Sequence, residues 1–254
     1  MLLAIDIGNT HTVLGLYDGG TLRHHWRLHT ELQCTADEYG VYVRRLLAGV
    51  AQPTIDGVAL SSVVPPVTAV FDTLCRRLLG IAPLVAGPGV CTGMPILYDD
   101  PRQLGTDRIM NAVAAYERTH AATIVVDLGT ATKLEYVSDR GEYVGGVIAP
   151  GIGIAADALF THAAKLYRVE LARPPQVVGR NMVHAIQSGL VHGYAALVDG
   201  LIARMQREVD AAPRVIATGG FARLVAPESA RIEAVEEFLT LDGLRLIYER
   251  NSGH

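Results

Sequence analysis

The sequence predicts an α/β fold built from two related domains in tandem, because one short pattern occurs twice and a similar one follows. The pattern is an apolar run that leads into a turn of glycine and small polar residues, and it covers 2–17, 123–136 and, in shorter form, 215–221. Asp127 follows Asp6 by 121 residues, and Gly129 follows Gly8 by the same interval. A duplicated domain is the simplest explanation of such self-similarity.

The expected architecture is two tandem domains, 1–117 and 118–254, that face each other across a cleft. The turn residues Asp18 and Gly20 also have counterparts at the same interval, Asp139 and Gly141. Each domain would direct one acidic hairpin into the cleft, and the glycine turn after the third apolar run would lie in the same cleft.

The first stretch has the pattern of a β-hairpin with an acid beside its turn. Leu2–Ile5 is an apolar run typical of a buried strand, Val13–Tyr17 resumes it, and Gly8, Asn9 and Thr10 suit a tight turn between them. Backbone N–H groups in such a turn suit phosphate oxygens, and the carboxylate suits hydrated Mg²⁺. The alternative is that Asp6 only caps its own turn.

The rest of the first domain alternates strands and helices. Thr35-x-x-Glu38 is a capping box, which predicts a helix start. Apolar periodicity and proline positions predict the other elements: strands over 21–28, 58–64 and 83–86, and helices over 36–47 and 67–78. An aperiodic loop over 87–103, which carries Tyr98, leads to a helix from about 104 to 116.

The second domain follows the same plan. It opens with the second hairpin and a strand over 143–148, and glycines at 151 and 153 lead into a helix through Ala164. Asn181 is a good N-cap for a long helix to about Glu208, in which Gly189 and Gly193 would allow close approach. A strand over 215–218 and a final helix over 241–249 complete the chain.

Composition argues against several classes of function. The net charge of −4 does not suit nucleic acid or an acidic membrane as the main partner. Cys34, Cys75 and Cys91 are an odd number without metal-ligand spacing, which predicts reduced, mostly buried thiols in a cytoplasmic protein. The N-terminal apolar run lacks a basic region, which predicts no signal peptide, and 143–156 is too short to cross a membrane.

Seven ordered motifs resemble those of type III pantothenate kinases, within the superfold of actin, sugar kinases and heat-shock ATPases. They span nearly the whole chain: Asp6-Ile-Gly-Asn-Thr-His-Thr12, Thr35-Ala-Asp-Glu-Tyr39, Asp100-Pro-Arg-Gln-Leu-Gly-Thr-Asp-Arg108, Asp127-Leu-Gly-Thr-Ala-Thr132, Gly145-Gly-Val-Ile-Ala-Pro-Gly151, Gly179-Arg-Asn181 and Ala217-Thr-Gly-Gly220. The resemblance implies two RNase H-like (actin-like) domains and phosphorylation of pantothenate by ATP, the first step of coenzyme A biosynthesis. It also implies a cytoplasmic homodimer with pantothenate at the subunit interface.

The resemblance implies roles for individual residues. Asp6 would hold Mg²⁺, and Asp127 would belong to a site for a monovalent cation, K⁺ or NH₄⁺. The nucleotide would contact Asp6, Ile7, Gly8, Asn9, Thr10, His11, Thr12, Val13 and Thr130, with its adenosine at Thr218-Gly219-Gly220. Pantothenate would contact Tyr98, Gly105, Thr106, Asp107, Arg108 and Met182.

The acceptor hydroxyl needs a base, and the resemblance assigns this role to Asp107. Without it, Asp107 would be an ordinary first-turn acid that favours the helix dipole. Arg108 can form two parallel hydrogen bonds to a carboxylate, which suits pantothenate. The alternative is that Arg108 forms an ordinary ion pair on the surface. Tyr98 could equally be a core tyrosine, and 218–220 a simple strand-to-helix turn.

Three positions depart from the family pattern. His11 stands where the first hairpin normally has asparagine, and Lys133 and Met182 stand where threonine is usual. The ammonium of Lys133 could replace the monovalent cation, pair with ATP phosphates, or point outward along its strand. These departures keep two alternatives open: a weak or inactive paralogue with a regulatory role, and a kinase for another small hydroxy acid.

Overall fold

The computed structural model describes residues 1–50, 54–163 and 165–253 and contains two compact units. The first unit comprises Met1–Met94, Asp99–Ala114 and Leu239–His254, and the second comprises Pro95–Tyr98 and Ala115–Phe238. Each unit is built around its own five-stranded sheet.

The sheet of the first unit has the strand order β3-β2-β1-β4-β5. Its strands are β1 (Leu2–Ile7), β2 (His11–Asp18), β3 (Thr21–His29), β4 (Gly57–Ser62) and β5 (Leu84–Val85). β1 is antiparallel to β2 and parallel to β4, so it lies at the centre of the sheet. Strands pair with it on both sides, and its apolar residues from Leu3 onward are buried on both faces.

Helices cover both faces of this sheet. On one face α1 (Ala36–Leu47) and α2 (Pro65–Leu74) pack against Leu3, Ile5 and Ile7. On the other face lies α7 (Leu239–Asn251), whose approach requires a glycine: a Cβ at Gly15 would lie 2.8 Å from Cδ1 of Leu241. Helix α3 (Thr106–Thr119) begins in this unit, and α7 contacts it closely.

The predicted capping box at the start of α1 is confirmed. The Glu38 N–H donates to the Thr35 hydroxyl, and the Thr35 N–H donates to the Glu38 carboxylate at 2.7 Å. The bond from the Thr35 N–H to the carboxylate is the largest cause of the lowered pKa of Glu38, and a bond from the Thr35 hydroxyl lowers it further.

The second unit repeats the topology of the first. Its sheet has the order β10-β9-β6-β7-β8, with β6 (Thr123–Leu128), β7 (Ala131–Val137), β8 (Tyr143–Pro150), β9 (Arg214–Thr218) and β10 (Ala234–Val235). β6 is antiparallel to β7 and parallel to β9, as β1 is to β2 and β4. The prediction of an α/β fold with duplicated halves is therefore confirmed.

The helices of the second unit are α4 (Ile152–His162), α5 (Met182–Glu208) and the short α6 (Ala222–Val225). Asn181 caps α5 as predicted, because its side chain accepts from the His184 N–H at 2.9 Å. The core of the unit lies between the sheet and α5 and includes Ile124, Val126, Leu190 and Val198.

Several details differ from the sequence-based expectation. The short elements α6 and β10 were not predicted, because four and two residues are too few to show a period. The predicted end of α4 at Ala164 lies outside the described residues. The two domains predicted over 1–117 and 118–254 stay a prediction, and by contacts α7 lies with the first unit.

The cysteines are less buried than predicted. Cys75 is buried, and burial raises the pKa of its thiol to about 12. Cys34 is half-buried and Cys91 is exposed, so the prediction of mostly buried thiols is wrong for Cys91. Cys91 lies in the aperiodic loop, where composition alone does not report burial. Within the described ranges, no helix is long and apolar enough to span a bilayer.

Candidate functional site

In the first unit the polar residues of the first hairpin cluster at the carboxyl end of β1. Asp6 is the penultimate residue of that strand and is partly exposed. The turn closes where the Gly8 N–H donates to the His11 carbonyl at 3.0 Å. Asn9, Thr10 and His11 are exposed residues of this turn.

Two of the predicted nucleotide contacts point into the core instead. Ile7 is fully buried and packs in the cluster beneath α1 and α2. Thr12 is also fully buried, with its hydroxyl 3.0 Å from the Thr30 hydroxyl. These two side chains support the turn from behind, because they lie on the opposite face of the strands from Asp6. A phosphate contact through the Thr12 hydroxyl does not fit this position.

The start of α3 lies beside the same strand ends. Ser61 is opposite Asp6 in register on β4, and its hydroxyl is 3.2 Å from that of Thr106. The Thr106 hydroxyl also donates to the Ser62 carbonyl at 3.2 Å. The first turn of α3, which carries Asp107, is therefore attached to the strand adjacent to Asp6.

The residues around Thr106 differ in exposure. Asp107 is partly exposed, whereas Arg108 keeps only 6% of its surface exposed. A Cβ at Gly105 would lie 2.5 Å from Oδ1 of Asp107, so a glycine is needed for this carboxylate to take its position. The structure thus brings Asp6 and the motif 105–108 into one unit.

In the second unit three glycine turns meet at the hairpin that carries Asp127. Gly129 closes the β6–β7 hairpin by donating to the Ala131 carbonyl at 3.1 Å. Gly219, with φ +94°, follows β9, and a Cβ there would lie 2.6 Å from Oδ1 of Asp127. Gly151 lies at the start of α4, and a Cβ there would lie only 2.2 Å from the Thr130 carbonyl oxygen.

This packing places a helix N-terminus and a glycine turn directly beside the hairpin that carries Asp127 and Thr130. Helix N-termini and exposed turn N–H groups both favour anions such as phosphate. The predicted adenosine turn at 218–220 thus lies against the second hairpin within one unit.

Lys133 forms an ion pair with the acid of its own hairpin. Its Nζ atom lies 2.8 Å from Oδ2 of Asp127, and each side chain keeps 14% of its surface exposed. The alternative in which Lys133 points outward along its strand is therefore wrong.

Tyr98 belongs to the second unit, whereas the motif 105–108 belongs to the first. Its segment pairs with the start of β8: the Leu97 N–H donates to the Tyr143 carbonyl at 2.8 Å. The rings of Tyr98 and Tyr143 meet edge to face at 6.1 Å. The Tyr143 hydroxyl donates in turn to the carboxylate of Glu135, and both of these side chains are fully buried.

Met182, the last predicted substrate contact, is the first residue of α5 and is 43% exposed. Ser61, Glu135 and Tyr143 are not among the site residues predicted from the sequence. The sequence does hold a signal for Glu135. An acid in the middle of a largely apolar strand needs a polar partner if it is buried.

His11 is electrostatically distinct from the other residues of the first turn. Its ring lies 6.2 Å from that of His29, edge to face. Partial burial lowers the pKa of His11, and the nearby charges of Arg27 and His29 lower it further. Neither His29 nor Arg27 is among the site residues predicted from the sequence, because the register of β3 against β2 is what brings them close to His11.

The family model for type III pantothenate kinase matches residues 2–204. The chain belongs to the type III pantothenate kinase family. It is 56% identical over 253 residues to the type III pantothenate kinase of Myxococcus xanthus, covering 99% of each chain. It is 54% identical to that of Geobacter sulfurreducens, again over 99% of each chain. The predicted family and its enzyme class, a kinase, are therefore confirmed.

Solved structures support the fold of this type III pantothenate kinase family member. An inorganic polyphosphate/ATP-glucomannokinase from Arthrobacter superposes with a TM-score of 0.51 at 18% identity, over 98% of this chain and 99% of that one. The activator of 2-hydroxyisocaproyl-CoA dehydratase from Clostridium difficile gives 0.53 at 11% identity, over 100% and 97%. At these identities the likeness supports the fold alone, and the roles of individual residues stay predictions.

Proposed function

We propose that this chain transfers the γ-phosphoryl group of ATP to the 4′ hydroxyl of pantothenate, the first step of coenzyme A biosynthesis. The observation that carries the proposal is the full-length similarity to type III pantothenate kinases. The attachment of the Asp107 turn to the strand beside Asp6 supports it, because phosphoryl transfer depends on the relative position of such groups.

The first hairpin would hold the phosphates. The exposed turn formed by Asn9, Thr10 and His11 offers polar groups to phosphate oxygens. The Asp6 carboxylate fits Mg²⁺, since it is partly exposed at a strand end and carboxylate oxygens are ligands that this ion prefers. When bound, this ion would neutralise charge on the phosphates of ATP.

The second hairpin and its glycine turns would hold the rest of the nucleotide. Thr130 lies beside the start of α4, where the helix dipole favours phosphate. The turn at Gly219 leaves no room for a side chain, which suits close approach of the adenosine to the backbone.

Pantothenate carries one carboxylate and one primary hydroxyl, and the α3 motif suits both. Arg108 is nearly buried, where a guanidinium recognises a carboxylate more strongly than it would in open water. Asp107 would accept the proton of the hydroxyl as its oxygen attacks the γ-phosphorus. The bond from that phosphorus to the β–γ bridging oxygen breaks, and ADP leaves with the bridging oxygen.

The proposal includes a cytoplasmic homodimer. It is supported by the resemblance and by exposed apolar side chains of the second unit, Val177 at 65% and Val178 at 77% exposure. Met182, in the same part of the chain, would then contribute to the partner's pantothenate site. Sedimentation velocity of the full chain and of Val178→Asp tests this: we expect a dimer that the substitution weakens.

The decisive experiment incubates the purified full chain with ATP, Mg²⁺ and pantothenate and follows phosphopantothenate by mass. Asp107→Asn should lower turnover by about 10²–10⁴-fold, the usual contribution of a positioned base. Asp37→Asn is the matched control, because Asp37 holds the same first-turn position in α1 and its side chain is 81% exposed. This control should leave turnover unchanged.

The outcomes separate the alternatives. Turnover that requires Asp107 but not Asp37 supports the proposal. Absence of turnover together with absence of ATP binding in calorimetry would instead indicate an inactive paralogue. ATP binding without turnover of pantothenate would indicate a kinase for another small hydroxy acid.

A further inference from the structure

The second hairpin carries its own cation, because Lys133 and Asp127 form an ion pair across it. They are directly opposite in register on β7 and β6, and 2.8 Å separates Nζ from Oδ2. Each side chain is only 14% exposed, so water and salt screen this pair less than an ion pair on the open surface. Lysine is rare in this chain: the only other one is Lys165.

The first hairpin differs at the equivalent position. Asp6 and Asp127 are both penultimate residues of the central strands of their sheets. The residue opposite Asp6 is Val13, whereas the residue opposite Asp127 is Lys133. The nearest basic residue in the row of Asp6 is Arg27, one strand further away. One acid thus faces an apolar neighbour, and the other faces an ammonium.

The equivalence of Val13 and Lys133 depends on the turns. Ile7 pairs with Thr12 in the first hairpin, and Leu128 pairs with Thr132 in the second. The second turn is therefore one residue shorter, and the 121-residue offset of the acids becomes 120 on the following strand. This single-residue difference brings Lys133 onto the face of the sheet that carries Asp127.

The residues around Asp127 do not fit an added monovalent cation of the kind that the family resemblance implies. Such an ion would have to contact a carboxylate that already contacts the ammonium of Lys133, and two cations at one carboxylate repel each other at short range. An alkylammonium carries the same charge as K⁺ or NH₄⁺ and donates hydrogen bonds as NH₄⁺ does.

We infer that Lys133 supplies, as part of the chain, the positive charge that a monovalent cation would bring to Asp127. The enzyme then works without added K⁺ or NH₄⁺. This inference rests on the proposed function, in which the second hairpin holds the nucleotide.

The test compares salts at matched ionic strength. Turnover of pantothenate by the full chain is measured in choline chloride, KCl and NH₄Cl, with Mg²⁺ constant and all buffers free of other monovalent metals. The unsubstituted protein should show the same turnover in all three salts, within about twofold. A strong requirement for KCl or NH₄Cl would overturn the inference.

Substitution of the lysine should create the missing requirement. In choline chloride the turnover of Lys133→Thr is expected to be about a hundredfold lower than that of the unsubstituted protein, comparable to the effect of removing one charge-stabilising donor. KCl or NH₄Cl should restore this turnover. Lys165→Thr is the matched control, since Lys165 is the other lysine of the same unit and is exposed. It should stay insensitive to the salt. A folded Lys133→Thr protein that no cation rescues would overturn the inference.

Thermal unfolding provides a readout besides activity. KCl should raise the melting temperature of Lys133→Thr relative to choline chloride and leave the unsubstituted protein unchanged. If Lys133→Thr does not fold, Lys133→Gln, which can still donate to Asp127, takes its place. If pantothenate is not phosphorylated in any salt, the proposed function fails, and ATP affinity measured by calorimetry in choline chloride and KCl still decides whether Lys133 replaces the cation.

Discussion

The hydroxyl of Ser61, on β4, lies 3.2 Å from the hydroxyl of Thr106, the first residue of α3. Ser61 is fully buried and is opposite Asp6 in the sheet. This contact links the strand beside the proposed metal ligand to the helix turn that carries the proposed base. Its two ends are 45 residues apart in the chain, so the relative position of Asp6 and Asp107 depends on tertiary structure.

Ser61→Ala should therefore affect catalysis more than folding. We expect the free energy of unfolding to fall by about 0.5–1.5 kcal/mol, the net value of one hydrogen bond. Turnover should fall by about tenfold because the base moves relative to the phosphates. Urea denaturation and steady-state kinetics measure the two effects.

The control for Ser61→Ala is Thr123→Val, which breaks a similar contact between two hydroxyls. The hydroxyl of Thr123, the first residue of β6, lies 2.8 Å from that of Thr119. It should lower stability by a comparable amount and leave turnover unchanged. Equal effects of both substitutions on turnover would contradict a positioning role for Ser61.

The lowered pKa of His11 predicts a pH dependence of nucleotide binding. Burial and the charges of Arg27 and His29 favour the neutral ring in the free protein. Phosphates beside His11 would favour the charged ring, so ATP binding should take up protons, and affinity should rise as the pH falls from about 7.5 towards 6. Calorimetry in two buffers of different ionisation enthalpy measures the uptake.

His11→Asn should remove this proton uptake, whereas His24→Asn, an exposed histidine stacked on Trp26, should retain it. The same shift also affects folding. Because the unfolded chain binds the proton more readily, stability linked to His11 is present above about pH 6.5 and is lost as the pH falls below it. Proton uptake that persists in His11→Asn would place His11 away from the phosphates.

The buried hydrogen bond between Tyr143 and Glu135 predicts a large loss of stability when only the Tyr143 hydroxyl is removed. Tyr143→Phe removes a hydroxyl that donates to a fully buried carboxylate, which should cost about 1–3 kcal/mol. Tyr116→Phe is the control, since its hydroxyl donates to the Asp139 carbonyl at an exposed position. Urea denaturation should separate the two, and a similar small loss in both would contradict the importance of the buried pair.

The glycine beside Asp127 predicts opposite effects of two alanine substitutions. Gly219→Ala forces a side chain into φ +94° and to within 2.6 Å of the Asp127 carboxylate, and should cost about 1–3 kcal/mol. Gly200→Ala lies within α5, where a Cβ meets no heavy atom of the described chain within 4 Å apart from its own helix, and should add about 0.5–1 kcal/mol. Urea denaturation of both variants measures the change in the free energy of unfolding. A Gly219→Ala variant as stable as the unsubstituted protein would contradict the close packing.

The close approach predicted for Gly189 and Gly193 has no counterpart within the described chain. Apart from the neighbouring turns of its own helix, a Cβ at either position would meet no heavy atom of residues 1–50, 54–163 or 165–253 within 4 Å. Helix glycines show in sequence where a neighbour can approach, but not whether one does, since that depends on which elements pack there. The capping box at Thr35 and the N-cap at Asn181 were predictable because both are local hydrogen-bond motifs.

Sequence by itself determined the two acidic hairpins, the glycine turns and the family, because strand periodicity, turn chemistry and ordered motifs are all local properties of the chain. Tertiary structure alone decided three matters: that Ser61 joins α3 to the sheet, that Thr12 faces the core, and that Lys133 neutralises Asp127. The physical reason is register. A turn shortened by one residue changes which side chain lies opposite an acid, and only the paired strands reveal that neighbour.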